Sequence, residues 1–255
     1  MPKKIGIVGD TGRMGQTLQK LLTNHVSYCY GGGFHRGLSD SKALDKLFAT
    51  NDIIIDFSNA TVIKTLLLSA LQNPKPLIIC TTGWSAVELD HLLQRCSQNM
   101  PVIIAPNTSI GACLQHYLIK QLARKLDDAY DIDLIEKHHR NKIDHPSGTA
   151  NRLIDAIQVI KQQQSAHTYQ VHEIIDGKRP DYTIGLAVQR TGNLPGEHTV
   201  SFTSVDEQIS IQHIAFDRKL FANGAIRIVD WITTFQPSPG QYSMDDVLCL
   251  GTFTT

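Results

Sequence analysis

The amino-acid sequence predicts an α/β chain: a doubly wound parallel sheet at the N-terminus, then a central α+β domain with an open mixed sheet. Three observations lead there. The chain opens with a short apolar run, a glycine-rich turn and an amphipathic segment. Continuous apolar runs then alternate with helix-like segments, as in parallel strands buried on both faces. Beyond about residue 108 the runs alternate apolar with polar residues instead, the pattern of a sheet with one wet face.

Taken in order, "KKIGIVGDTGRMGQTLQKLL" reads as a strand over Ile5–Val8, a turn, and a helix with Met14, Leu18, Leu21 and Leu22 as its apolar residues. Strand-like runs follow at "DIIIDFS" (52 to 58), "PLIICTT" (76 to 82) and "PVIIAPN" (101 to 107), separated by helix-like segments around 59 to 72 and 85 to 99. A helix over roughly 110 to 127 leads into "YDIDLIEKHH", where alternating Asp131, Ile132, Asp133 and Leu134 suit a half-buried strand. Another helix fits 148 to 163, and "TIGLAVQR", "EHTVSFTS" and "EQISIQHIA" read as successive strands, expected antiparallel. "FANGAIRIVDWITTF" returns to helical periodicity and is expected to pack back on the first domain. The domains so read are 1 to 108, completed by 218 to 255, and 109 to 217.

Composition narrows the function classes. Lys plus Arg and Asp plus Glu both number 24, so no excess positive field is available for a nucleic-acid backbone. The basic start "MPKK" precedes an apolar run too short for a signal-peptide core, and no stretch approaches the roughly 20 apolar residues of a membrane helix. The five cysteines, Cys29, Cys80, Cys96, Cys113 and Cys249, are odd in number and form no CxxC pair, which points to a reducing compartment and against a disulfide framework. A cytoplasmic chain without a nucleic-acid or membrane partner is expected.

The glycines of "GDTGRMG", at 9, 12 and 15, follow a strand and precede a helix. In that context the first permits a tight turn, the second lets a pyrophosphate approach the backbone, and the third seats the helix against the strand. Many such domains hold the ribose 2′-hydroxyl with an acid after the second strand, yet no carboxylate occurs between Asp10 and Asp40. "GGGFHRG" offers His35 and Arg36 instead. Arg36 is either a 2′-phosphate contact or a solvated basic turn, and the missing acid favours NADPH being used at least as well as NADH.

"EKHHRNKIDHPSGTA", 136 to 150, gathers three histidines, two lysines and an arginine before a helix start. Ser147 can cap that helix, and a helix start without a competing carboxylate, flanked by His139, Arg140 and Lys142, suits an anionic ligand. His138, at the end of the preceding strand, can deliver a proton, and Lys142 can offset developing negative charge. A solvated charged loop remains an alternative; a zinc site on His138, His139 and His145 lacks ligands at useful spacing.

The stretch also matches E-x-HH-x-x-K-x-D-x-PSGTA, and the chain carries "DFS" at 56 to 58, "TTG" at 81 to 83, "APNTSIG" at 105 to 111, "GEHTV" at 196 to 200 and "FANGAIR" at 221 to 227. With "GDTGRMG" at the start, these in order closely resemble the dihydrodipicolinate (4-hydroxy-tetrahydrodipicolinate) reductase family of the diaminopimelate route to lysine. The resemblance implies an N-terminal Rossmann domain completed by the C-terminal helix, and a central domain that binds a cyclic imine dicarboxylate and assembles a homotetramer. It implies NADPH and/or NADH as cofactor, and the ligand spacing gives no reason to expect a metal. Carried over by position, His138 is the general acid and Lys142 the second donor or charge stabiliser. His139, Lys142, Ser147, Gly148 and Thr149 hold the substrate carboxylates. Gly9, Asp10, Thr11, Gly12, Arg13 and Met14, then Cys80, Thr81 and Thr82, then Ala105, Pro106, Asn107 and Thr108 line the cofactor. The chain departs from the family pattern at Cys80, where many relatives carry glycine, and at Thr108, where an aromatic residue is common. Another two-domain dehydrogenase would lack the 136 to 150 signature; a dinucleotide sensor would need a basic recognition element that is not visible.

Overall fold

The computed structural model describes residues 1 to 35, 41 to 165, 167 to 173 and 176 to 251. The chain divides into two compact units: Met1–Ile110 together with the chain from Lys219 onward, and Gly111–Arg218.

The first unit holds β1 (Lys3–Val8), α1 (Arg13–Thr23), β2 (Tyr28–Phe34), α2 (Ser41–Thr50), β3 (Ile53–Asp56), a 3-10 turn, α3 (Ile63–Gln72), β4 (Leu77–Ile79), α4 (Asp90–Asn99) and β5 (Pro101–Ile104). Six strands pair in parallel in the order β11-β5-β4-β3-β1-β2, with β11 at Gly240–Tyr242. The expected apolar runs form the interior strands, while β2, α2, β11 and the short α8 (Met244–Val247) carry no such run to mark them.

Strand alternation decides what covers the sheet. Ile54, Leu77, Ile79 and Val102 pack with Leu44, Phe48, Leu66, Leu67, Leu93 and Cys96 of α2, α3 and α4. Ile7, Ile53, Ile55, Ile78 and Ile103, equally buried, turn to the opposite face, where α1 packs against α7 (Lys219–Phe235). Gly224 of α7 explains part of "FANGAIR": a Cβ there would lie 1.7 Å from the Thr108 carbonyl oxygen.

The second unit holds α5 (Ile110–Lys125), β6 (Asp131–His138), α6 (Gly148–Gln164), β7 (Gln170–His172), β8 (Thr183–Arg190), β9 (Gly196–Thr203) and β10 (Gln208–Ala215). Its sheet is mixed, in the order β10-β9-β6-β8-β7. Ile119 and Ala123 of α5 and Leu153, Ile154 and Ile157 of α6 cover one face against Ile132, Leu134, Ile184, Val200 and Phe202. The expectation of three successive antiparallel strands is corrected. β9 and β10 are antiparallel neighbours, but β6 lies between β9 and β8, and β8 runs parallel to β6. The reason is α6: a strand followed by a helix that packs back on the same sheet returns the chain parallel.

Candidate active site

β6 carries the dense stretch into the second unit. Its alternation buries Ile132, Leu134, Glu136 and His138 together, so a carboxylate and an imidazole share the face that elsewhere is core. A buried carboxylate must find hydrogen bonds. Glu136 Oε2 accepts the Ser147 N–H at 2.9 Å. Ser147 Oγ in turn accepts from the Ala150 N–H at 3.1 Å, capping α6, and shares a 2.8 Å hydrogen bond with His198 Nε2. His138 Nδ1 and His198 Nε2 stand 3.9 and 3.8 Å from Glu136 Oε2, their rings edge to face with centroids 5.1 Å apart.

The charges settle accordingly. Burial alone raises the Glu136 carboxyl, but the Ser147 hydrogen bonds, joined in acid by the charge of the two imidazoles once protonated, outweigh it, and the group lies below the usual carboxylate range. Burial pushes His138 down, against Glu136, with Lys142, Arg190 and His139 adding to the fall. His198 is pushed down to about 4, again by burial first and by His138 next. At neutral pH this is one carboxylate between two neutral rings. The three are of metal-ligating type, with donor atoms within 4.8 Å of one another, but Ser147 already engages both Glu136 and His198.

The charge of Lys142 reaches both His138 and His198 of this network. Lys142 Nζ donates to both Asp144 oxygens at 2.9 and 2.8 Å. Arg190 Nε and Nη2 donate to the carbonyls of Lys142 and Asp144, pinning the loop. His139 and Thr149 are half-buried and Gly148 is exposed. The reading of a helix start free of competing carboxylates holds for its first turn but is corrected next to it: Glu136 takes the Ser147 N–H and Asp144 holds Lys142. Sequence reasoning passed over Glu136, His198 and Arg190. Period-two alternation through Leu134 could have found Glu136. Gly196 of "GEHTV" acquires a purpose too, since a Cβ there would lie 3.1 Å from His138 Nε2.

In the first unit the glycine turn forms as expected. Gly9 adopts φ +87, and a Cβ there would lie 2.5 Å from the Phe57 carbonyl oxygen; at Gly15 it would lie 2.3 Å from the Gly9 oxygen. Gly12 caps α1 without any side-chain hydrogen bond, and no acid occupies the first turn, leaving Arg13 and Met14 to begin a helix whose N–H ends face open space. A cleft of about 200 Å³, lined in part by Gly9, Thr11, Gly12, His35, Phe57 and Asn59, opens at the carboxyl ends of β1, β2 and β3. The strand order reverses there, between β1 and β3, the place where open α/β sheets bind ligands. Bare backbone, an uncapped helix start and a cleft with apolar walls fit a dinucleotide.

Asp10 points elsewhere than expected for a phosphate-turn residue. Its Oδ1 lies 3.0 Å from His35 Nδ1 and its Oδ2 accepts from Tyr30 Oη at 3.0 Å. Arg36 lies outside the described residues. Cys80 and Thr81 are buried, Thr82 exposed, and burial first, then Asp56, pushes the Cys80 thiol up, so Cys80 is an inert packing group here. Ala105 is buried and Pro106 exposed. Asn107 Oδ1 accepts the Ser109 N–H at 2.9 Å. Thr108 is turned inward, donating to the Phe221 carbonyl at 2.7 Å, which makes it a tie between the end of the sheet and α7.

Comparison with known proteins agrees with both halves of this description. The family model described as dihydrodipicolinate reductase, N-terminus, matches residues 3–108, and that described as dihydrodipicolinate reductase, C-terminus, matches 111–248. A 4-hydroxy-tetrahydrodipicolinate reductase of Chlamydia abortus is 41% identical over 94% of this chain and 96% of its own length. One from Akkermansia muciniphila is 36% identical over 96% and 97%. Among solved structures, the dipicolinate-bound dihydrodipicolinate reductase from Paenisporosarcina sp. TG-14 shares the fold, with a TM-score of 0.75 at 22% identity over 95% of this chain and 98% of that one. With both family models matched along nearly its whole length, the chain belongs to the dihydrodipicolinate reductase family.

Proposed function

We propose that this chain reduces 4-hydroxy-tetrahydrodipicolinate to tetrahydrodipicolinate, with loss of water, in the diaminopimelate route of lysine biosynthesis, and that His138 and Lys142 carry the chemistry. The observation behind this reading is His138 buried beside Glu136 at the α6 cap and acted on by the charge of Lys142, within a chain of this family. The first unit holds the dinucleotide, NADPH or NADH, on Gly9 to Met14, with its phosphates at the start of α1. When bound, the reduced nicotinamide supplies the hydride.

The second unit binds the substrate. Thr149, Ser147 and Gly148 present the helix start to a substrate carboxylate, and His139 and Lys142 add donors beside it. Lys142 must leave Asp144 to do so, an inexpensive exchange because an ion pair with so exposed a partner contributes little. His138 rests as a neutral ring. Two arriving carboxylates offset the local positive charge and favour its protonated form, from which it passes a proton to the substrate. Glu136 holds the rings and the helix cap in place throughout.

A homotetramer assembled through the second unit accounts for the face of its sheet opposite α5 and α6. There Ile135 is exposed beside Lys137, Thr199, Ser201 and Ser210, a mixed face on which a symmetric copy can pack. Light scattering tests it: a monomer at micromolar concentration counts against it. A cytoplasmic location accords with five cysteines that form no disulfide and with no helix among the described residues long and apolar enough to cross a membrane. The activity is tested by following loss of the reduced nicotinamide absorbance with substrate made in situ by the preceding synthase. No turnover with either dinucleotide would refute the reading.

A further inference from the structure

The three-glycine run of β2, "GGG" at 31 to 33, is a poor strand sequence, and the structure gives one of these glycines a specific task. A Cβ at Gly33 would lie 2.3 Å from the carboxyl carbon of Asp10. Gly33 is therefore glycine so that the Asp10 side chain can lie across the end of β2. Once there, the carboxylate is held on both oxygens, by Tyr30 Oη at 3.0 Å and by His35 Nδ1 at 3.0 Å. Its backbone is fixed as well, with Gln19 Nε2 donating to the Asp10 carbonyl at 2.7 Å. Burial and the Asp10 carboxylate push Tyr30 up to about 12, so the phenol stays a donor to that carboxylate.

Dinucleotide domains that take an unphosphorylated ribose place an acid at this point, after the second strand. No carboxylate lies between Asp10 and Asp40 to fill that place. Here the acid arrives from the turn after β1. His35, whose Nδ1 is turned to Asp10, is the member of the pair that lines the cleft. With its proton on Nδ1, its other nitrogen is an acceptor. An acceptor ring backed by a carboxylate suits a hydroxyl, which can donate, and opposes a phosphate, which brings only acceptors and negative charge.

We propose that Asp10 and His35 together read the adenosine ribose, His35 accepting the 2′-hydroxyl and Asp10 fixing the ring and supplying the charge that turns away a 2′-phosphate, so that the chain prefers NADH to NADPH. This rests on the dinucleotide reading of the first unit and reverses the preference that the sequence suggested. Asp10 is a positioning residue in this scheme, and His35 the contact.

The test is direct titration of the purified full chain with NADH and with NADPH, followed by nicotinamide fluorescence without substrate, alongside thermal unfolding. Wild type should bind NADH at least about tenfold more tightly, equivalent to about 1.4 kcal/mol. Asp10→Asn, which keeps the shape and removes the charge, should bring the two affinities within about threefold, chiefly by improving NADPH. Gly33→Ala, whose methyl displaces the carboxylate without altering it, should do the same; if it unfolds, Asp10→Asn decides alone. Equal affinities in wild type overturn the proposal. So does an equal loss of both dinucleotides in Asp10→Asn, which would make Asp10 a latch for the turn and nothing more. Wild type binding neither dinucleotide would instead overturn the cofactor reading on which this one stands.

Discussion

Helix α1 begins at a bare glycine, whereas α6 begins at a serine that caps it, bonds an imidazole and is backed by a buried carboxylate. Gly12 has no capping side chain and no acid in the turn that follows; Ser147 engages Ala150, His198 and Glu136 within 3.1 Å. Both starts are suited to anions, but to different ends. Phosphate binding needs open backbone N–H groups and room for the ligand, so the sequence keeps side chains away. The second start is instead filled with side chains, at the cost of burying Glu136, as the proton transfer proposed for it requires.

The largest expected break in this comparison is at His138. If it delivers the proton, His138→Gln should lower kcat by about 10²-fold or more, with dinucleotide affinity retained. Steady-state kinetics beside dinucleotide titration checks both; near-normal kcat removes His138 as the acid.

Next comes acid sensitivity of the filled start. Folded His198 stays neutral down to about pH 4, while the unfolded chain takes up that proton near pH 6.5. Between those values the unfolded state binds more protons, so stability falls as pH falls, by up to roughly 2–3 kcal/mol in all. The depressed Glu136 extends the same trend below its ordinary range. Urea melts of wild type across that window should show the slope, and His198→Asn should flatten it; parallel curves would mean that His198 is not the source.

Capping the bare start should sharpen the contrast. Gly12 has the extended backbone of a capping residue, and a Cβ there needs the Gly9 oxygen, at 3.2 Å, to give by a few tenths of an ångström, which is the one adjustment Gly12→Asp asks for. The carboxylate should cap α1, adding about 0.5–1 kcal/mol to stability, and weaken either dinucleotide about tenfold by occupying the phosphate position. Thermal melts and titration should move in opposite directions; unchanged affinity would take the phosphates away from α1. The smallest effect belongs to Thr149→Ala, which removes one ground-state contact and should raise KM for the dicarboxylate about threefold to fivefold with kcat little changed. Loss of dinucleotide affinity in that variant would reassign the α6 start.

Much of this was legible beforehand because burial leaves a period in the sequence. Continuous apolar runs marked β1, β3, β4 and β5, and the spacing of glycines 9, 12 and 15 marked the α1 start, since few other sequences permit that turn. Short edge elements such as β11 and β7 bury too little to leave a pattern, and β2 was obscured by glycines whose reason lies in other segments: Gly33 for Asp10 and Gly31 for Asn51, whose Oδ1 would lie 1.8 Å from a Cβ.

The network around Glu136 divides along the same line. Alternation along β6 by itself places Glu136 and His138 on one buried face with Ile132 and Leu134, and the serine before Gly148 by itself caps α6. Which groups stand beside them was decided only by pairing: the register of β6 with β9 sets His198 opposite Glu136, and that with β8 sets Arg190 opposite His138. A strand's own residues fix which side faces the core, because side chains alternate with a period of two. Its neighbours follow from closing the whole sheet around α6, and so does the reach of Asp10 from one turn to the end of another strand; those are energies shared among distant segments that no single stretch of sequence contains.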